Sequence, residues 1–331
     1  MKQAERLDQL ITLLANGEFH SGQAIGESLA ISRAAVNQHI HKLEELGLEL
    51  FSVTGRGYKL ARPIELLQAG VIEKESPEEW RQSPEFEVKS VVDSSNDRVK
   101  ELAKEGPLEA GFSIFAEAQT AGRGRRGKKW ISPFGNNLYF SVYWPLDEGI
   151  HGAMGLSLAA GVALAECFTD LGIEGVSVKW PNDVYIRGKK VTGILVDLET
   201  SPEGAAHSII GIGINLTMPE HVGASIDQAW TDLNSELPRP MSRNHIAAQV
   251  RASVLSALQQ YEQHGLAAFQ QSWRRYDCFL DKPVKLIMGQ RVCLGTCRGI
   301  DENGALLVED EQGVRRYFGG EVSLRAQDAT N

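Results

Sequence analysis

Cysteine is scarce in this chain of 331 residues, which has four: Cys167, Cys278, Cys293 and Cys297. None belongs to a Cys-x-x-Cys pair or to a Cys/His cluster at zinc spacing, so a structural zinc site is excluded. Cys293 and Cys297 share a face of a strand-like stretch without meeting, and free thiols in a reducing compartment are expected. Long apolar runs are missing too. No segment approaches the ~20 apolar residues of a membrane span, and the first turns, with Glu5 and Asp8, hold no secretory apolar core. The expectation is a cytoplasmic protein with no membrane partner, in which the glycosylation pattern Asn215-Leu216-Thr217 is a bystander. Positive charge is in deficit. The net charge of −9 argues against a protein that coats nucleic acid, while leaving room for a small docking module. There is no Ser-His-Asp or Cys-His nucleophile set and no internal repeat.

What is there is an ordinary globular composition, 42% apolar and 23% charged, with enough chain for two or three domains. Residues 1–62 open with a helical stripe, Leu7, Leu10, Ile11 and Leu14, and continue with a short helix over Ser21–Leu29. A third helix runs from Arg33 to Leu46, with Ser32 as its N-cap and Ala35, Val36, Ile40 and Leu43 facing inward. Two β-prone pieces, Leu48–Val53 and Tyr58–Leu60, hinge on Thr54-Gly55-Arg56-Gly57. Three helices and a glycine-tipped hairpin describe a winged helix-turn-helix; the plainer reading is a small helical domain with a tight turn. The third helix exposes Arg33, Asn37, Gln38, His41 and Lys42, types that read base edges, and Arg56 at the hairpin tip can reach a phosphate. Seven basic side chains here meet seven acidic ones. A neutral module binds DNA weakly alone, which suggests two copies.

Residues 63–85 read as a linker, with Pro63, Pro77 and Pro84, an amphipathic helix around Ile64–Ile72 and an acidic stretch at Glu73–Glu79. Residues 86–276 form a central mixed α/β domain. Its strands are expected at Glu87–Val92, Phe112–Ala118, Leu138–Trp144, Val176–Trp180, Val184–Ile186, Gly193–Leu198 and His207–Ile214. A small-residue helix near Gly155–Leu171 makes Cys167 a packing residue, and a helical stretch from Met241 to Tyr276 closes the domain. Residues 277–331 are strand after strand, the pattern of a small SH3-like β-barrel. The order of runs gives an α+β class.

The strongest chemical signal is Gly122-Arg123-Gly124-Arg125-Arg126-Gly127. Literally it is G-x-G-x-x-G, but a dinucleotide site needs a helix next, and Pro133 and Gly135 block one. With Lys128 and Lys129 adjoining, the loop looks like a mobile clamp for a polyphosphate, or else a solvated basic hairpin. A second hairpin, Val178–Leu195, can aim Lys190 inward beside Asn182 and Asp183. Lysine as a point charge suits a carboxylate meeting an α-phosphate, and Asp183 could hold Mg²⁺. Taken alone, a hairpin lysine is a weak signal. Asp93-Ser94-Ser95-Asn96 and Gln119 supply hydrogen-bonding groups near a strand-to-helix junction, where capping explains one or two. Gly211–Asn215 ends a strand with little side-chain bulk, so a ligand could press on backbone there.

Gln119–Phe134, Lys179–Asp183, Lys190–Leu195 and Gly211–Asn215 together resemble the bacterial biotin–protein ligases, and the preceding winged helix resembles the subclass that also represses the biotin operon. The resemblance spans essentially the whole chain. It implies a biotin–[acetyl-CoA-carboxylase] ligase that forms biotinyl-5′-AMP from biotin and ATP and transfers biotin to a lysine of the biotin carboxyl carrier protein. It implies Ser94, Ser95, Asn96, Gln119, Arg123, Gly124, Arg125 and Lys190 around biotin, with Lys190 and Arg125 as catalytic residues. Arg125, Lys128, Asn182, Asn215 and Trp230 fall to the adenylate, Trp230 as a stacking wall, and Trp130 would cap the biotin loop. With adenylate as corepressor, a homodimer would dock on palindromic operator DNA. One position departs from the family's Asp-Ser-Thr-Asn run: Ser95 keeps the hydroxyl and loses a methyl. A DNA-binding ligand sensor without turnover, and a ligase for lipoate, are the alternatives.

Overall fold

The structure, a computed structural model, describes residues 3–146, 153, 155–200, 206–319 and 322–326. Helices α1 (Gln3–Leu14), α2 (Gly22–Leu29) and α3 (Arg33–Glu45) close on Leu10, Leu14, Ile25, Leu29, Val36 and Leu43. Ser21 Oγ accepts from Ala24 N at 3.1 Å and Ser32 Oγ from Ala35 N at 3.2 Å, so each helix start is capped as its sequence suggests. Strands β1 (Leu50–Val53) and β2 (Gly57–Leu60) pair as the wing. Gly57, at φ +102°, lets the wing lie against the α1–α2 connection; a Cβ there would stand 2.0 Å from His20 O. Tyr58 and His20 exchange two 2.9 Å backbone hydrogen bonds at that contact.

The linker departs from expectation. Helix α4 spans only Ala69–Glu75, and residues 64–68 are not helical. Their amides are taken by distant partners: Ile64 N donates to Ala15 O, Leu67 N to Glu117 Oε1 at 2.6 Å and Gln68 N to Asn244 Oδ1 at 2.8 Å. In a helix begun at residue 64, Gln68 N would turn to Ile64 O and give up Asn244.

The central sheet has seven strands: β3 (Phe86–Val92), β4 (Ser113–Gln119), β5 (Leu138–Leu146), β6 (Val176–Lys179), β7 (Asp183–Ile186), β8 (Lys189–Thr200) and β9 (Ala206–Ile214). Their order is β3-β4-β5-β9-β8-β7-β6; β3 and β4 are parallel and every other neighbour pair antiparallel. Alternation along the strands separates two faces. Ile114 and Ile209 pack with Val99 of α5 (Ser95–Glu105), whereas Phe115, Phe140, Ile210 and Ile212 join the main core beneath α6 (Leu156–Asp170). Helix α6 is apolar around nearly its whole girth because the sheet covers one side and another helix the other. Cys167 is buried in that layer, which pushes its thiol up to about 11 and keeps it a protonated packing side chain.

After β9 come two short helices, α7 (Glu220–Gly223) and α8 (Leu233–Glu236), then α9 (Arg243–His264), which packs on α6. The expected single run to Tyr276 is broken by Gly265 at φ +62°, and α10 (Gln270–Tyr276) follows. Strands β10 (Pro283–Met288), β11 (Arg291–Ile300), β12 (Leu306–Asp310), β13 (Gly313–Tyr317) and β14 (Val322–Ala326) make an antiparallel sheet ordered β13-β12-β11-β10-β14. Val284, Leu286, Leu306 and Val308 are buried in the same core as α6, and Trp180 Nε1 donates to Gly304 O at 3.0 Å.

Candidate functional site

The α5 face of the sheet is bare where Gly193, Gly211 and Gly213 lie side by side on β8 and β9. A Cβ on Gly211 would fall 2.3 Å from Asn96 Oδ1, and one on Gly213 would fall 2.3 Å from the Trp130 ring. Backbone is exposed here because two side chains need the room.

Ser94 caps α5, which sets Ser95 and Asn96 in its first turn. Ser95 N donates to Gln119 Oε1 at 2.9 Å, and Gln119 Nε2 donates to Ser132 Oγ at 3.1 Å. Ser141 Oγ lies 2.7 Å from both Ser95 Oγ and Asn96 Oδ1, and Asn96 Nδ2 donates to Asp197 Oδ2 at 3.1 Å. These buried groups are satisfied mutually and hold one geometry.

The basic loop folds back over them. Gly124 N donates to Lys128 O at 2.7 Å and Trp130 N to Gly122 O at 2.9 Å, so the loop is a closed turn with Arg126 and Gly127 at positive φ. No helix follows it. Arg123 is latched to Asp97 and, at 3.3 Å, to Asp197. Arg125 Nη1 donates to Asn182 Oδ1 at 3.2 Å, and Asn182 Nδ2 donates to Ile194 O at 2.6 Å. Burial lowers the Arg125 guanidinium's hold on its proton, Asp183 opposing. Lys190 Nζ pairs with Asp183 Oδ1 at 2.8 Å and stands 5.7 Å from the Trp130 ring centre.

Between loop and sheet lies a cavity of about 810 Å³. Ser94, Ser95, Asn96, Gln119, Arg123, Gly124, Arg125, Lys128, Asn182, Asp183 and Lys190 all line it. Asn215 and Trp230 do not. Asn215 is buried with Nδ2 donating to Thr231 O, and the Trp230 indole lies on Gly223 with its N–H donating to Gly223 O at 2.9 Å. Residues 227–229 line the rim in their place, tied by Lys190 N donating to Ala229 O. Asp97, Ser141 and Asp197 escaped the sequence reading, although the period of two along β5 and β8 puts Ser141 and Asp197 on the site face.

On the winged helix, Arg33, Asn37, Gln38 and His41 are exposed and Lys42 is half-buried. Asn37 accepts from the Tyr58 hydroxyl, His41 lies 2.9 Å from Glu44, and Arg56 stacks 4.2 Å over the Phe19 ring. The wing and the third helix are thereby joined into one face.

A lid of cations over a glycine-bared sheet, behind a winged helix, defines a protein ligase that carries its own DNA-binding domain. Residues 88–215 match the Biotin/lipoate A/B protein ligase family, residues 6–59 an HTH domain and residues 279–325 the Biotin protein ligase C terminal domain. Two relatives named "Bifunctional ligase/repressor BirA", from Salmonella typhimurium and Escherichia coli, are each 44% identical; the alignments cover 96% and 97% of this chain and 97% of each relative. The Aquifex aeolicus biotin protein ligase, solved in complex with biotin and ATP, superposes with a TM-score of 0.61 at 29% identity, over 74% of this chain and 100% of that one. The chain belongs to the bifunctional ligase/repressor family of biotin protein ligases.

Proposed function

We propose that the chain makes biotinyl-5′-AMP from biotin and ATP, transfers biotin to a lysine of a biotin carboxyl carrier protein, and represses the biotin operon when adenylate is bound. The observation that carries this is the convergence of Asn96, Gln119, Arg125 and Lys190 on one cavity under a basic lid. Ser94, Ser95, Asn96 and Gln119 offer a fixed set of donors and acceptors for the ureido end of biotin. Lys190 then faces the biotin carboxylate and the α-phosphate together. Two anions must meet for the carboxylate oxygen to attack phosphorus, and a cation already held in place removes much of that repulsion. Arg123 and Arg125 close the lid, which keeps water from the mixed anhydride. The adenine roles of Asn215 and Trp230 rest on the resemblance alone.

Asp183 is a single carboxylate already paired with Lys190, and the described residues hold no cluster of three or more metal-ligating side chains. Asp183 would offer one oxygen to a Mg²⁺ held chiefly by the phosphates of ATP, and no step here runs through the metal. We read the last sheet as an SH3-like barrel and the repressing species as a homodimer on operator DNA, since one charge-balanced winged helix gives little affinity. Among the described residues no helix is long and apolar enough to cross a membrane.

Exchange of labelled pyrophosphate into ATP tests the reading. It should depend on biotin and not on lipoate, and operator affinity should rise when biotin and ATP are both present. Absence of exchange would leave a ligand sensor; exchange with lipoate alone would leave a lipoate ligase. The lid adds a sharper expectation. Arg125→Gly removes the side chain that pins the loop to Asn182, and a charge-assisted hydrogen bond is worth about 1.5–3 kcal/mol. Adenylate should therefore leave roughly 10- to 100-fold faster, measured by stopped-flow release. An unchanged release rate would show that the lid is held by other contacts.

A further inference from the structure

Lys179 lines the cavity and has no role in the ligase reading so far. Lys179 ends β6, opposite Asp183 in the β6–β7 register, with Tyr185 two residues further along the same face. Its Nζ lies 3.3 Å from Tyr185 Oη, 5.2 Å from that ring's centre and 5.8 Å from the ring of Phe279, which belongs to the junction with the last sheet. Burial raises the Tyr185 phenol well above its ordinary range, so it stays neutral and contributes no counter-charge. Among the described residues Lys179 makes no salt bridge.

Burial pushes the Lys179 ammonium below its ordinary range; Asp183 opposes this, while Lys190 and Arg325 add to it. A half-buried ammonium without an ion-pair partner is costly in this setting, and an arriving anion relieves the cost. The cavity as a whole points the same way. Eight basic side chains line it against two acidic ones, Asp183 and Asp227, each already ion-paired. Such a surface is complementary to a polyanion. Lys190 and Lys179 stand on either side of β7, one on β8 and one on β6, so their stems are about two strand spacings, roughly 10 Å, apart. One phosphate cannot engage both stems at their roots; a chain of phosphates can.

We propose that Lys179 holds the β- and γ-phosphates of ATP, and hence the departing pyrophosphate, while Lys190 serves the α-phosphate. This rests on the ligase reading. In the step concerned, a carboxylate oxygen of biotin bonds to the α-phosphorus, the bond from that phosphorus to the bridging oxygen breaks, and its electron pair leaves on pyrophosphate. No proton moves. The charge that grows on the leaving group falls beside Lys179, where a fixed cation lowers the barrier. Transfer from adenylate to the acceptor lysine involves no pyrophosphate, so Lys179 is idle in that half-reaction.

Lys179→Met tests this, because it keeps the apolar stem between Tyr185 and Phe279 and deletes the charge. Biotin-dependent pyrophosphate exchange should fall roughly 100-fold, the usual size for loss of one group that stabilises developing charge. In the reverse reaction, ATP formation from biotinyl-5′-AMP should need a much higher pyrophosphate concentration. Biotin transfer from supplied biotinyl-5′-AMP should stay within about threefold of wild type, and Lys179→Arg should recover part of the exchange. Exchange near the wild-type rate in Lys179→Met would overturn the proposal. So would an equal loss in both half-reactions, or a loss confined to transfer, which would make Lys179 a proton acceptor for the incoming amine. Absence of exchange in the wild-type protein would instead sink the ligase reading itself.

Discussion

Lys190→Ala should lose roughly 10²- to 10³-fold in adenylate formation while keeping a native melting profile. The side chain sits on a hairpin, is 14% exposed and makes one ion pair, with Asp183. Removing it leaves the sheet's hydrogen bonds intact, because those of residue 190 run through backbone to Ala229 and Thr231. Asp183 would keep the field of Arg125 and Lys179, so a collapse of the fold is not expected. The loss should appear in both half-reactions, since the carboxyl carbon and the α-phosphate that Lys190 faces are still present in the adenylate. That separates it from Lys179, whose loss is confined to the first. Lys190→Arg should rescue only in part, because a planar fork cannot take the place of a point charge beside Trp130. Single-turnover formation of biotinyl-5′-AMP is the measurement, and full activity in Lys190→Ala would remove this residue from the chemistry.

Much of this site is legible in the sequence, for a definite reason. The basic loop, the Lys179–Asp183 elbow, and Ser95 and Asn96 at a helix start are each local in sequence. Their side chains are aimed by neighbours a few residues away, as Ser94 aims Ser95 and Asn96 by capping α5. Strand alternation and glycine spacing carry that information. What was not legible depends on register between distant segments. Asp197 becomes a latch for Arg123 only because α5 brings Asn96 over β8. The glycines of β9 promised a place for a ligand to press, but the occupants in the structure are Asn96 and Trp130, 115 and 83 residues away from Gly211 and Gly213 respectively. Apolar spacing over Ile64–Ile72 reads as helix because burial against another domain gives a similar pattern; the amides of Ile64, Leu67 and Gln68 go to distant partners instead. Trp230 sits on Gly223 instead of in the cavity, a contact no local pattern announces.

Arg243→Met should destabilise the central domain by about 3–5 kcal/mol, the largest loss of stability expected from a single substitution far from the cavity. Arg243 and Glu117 are 5% and 3% exposed and form an ion pair between the start of α9 and the middle of β4. Arg243 also donates to Glu65 O at 3.0 Å and Asn137 O at 2.7 Å, while Glu117 Oε1 accepts from Leu67 N. One buried pair thus ties together the linker, the strand that carries Gln119 and the segment that follows the basic loop. Without Arg243 the Glu117 carboxylate is buried with a single amide donor, and burial of an unpaired charge dominates the cost. Adding Glu117→Gln to Arg243→Met keeps the acceptor for Leu67 and removes that charge, so the double variant should recover much of the loss in urea unfolding. Because residues 64–68 connect the winged helix to β4 through the same contacts, operator affinity in Arg243→Met should respond less to biotin and ATP than in wild type. An Arg243→Met midpoint close to wild type would mean that the linker and the remaining hydrogen bonds hold this junction without the ion pair. Recovery of stability in the double variant without recovery of the ligand response would place the signal in Arg243's contacts with Glu65 and Asn137, the two partners that the second substitution cannot restore.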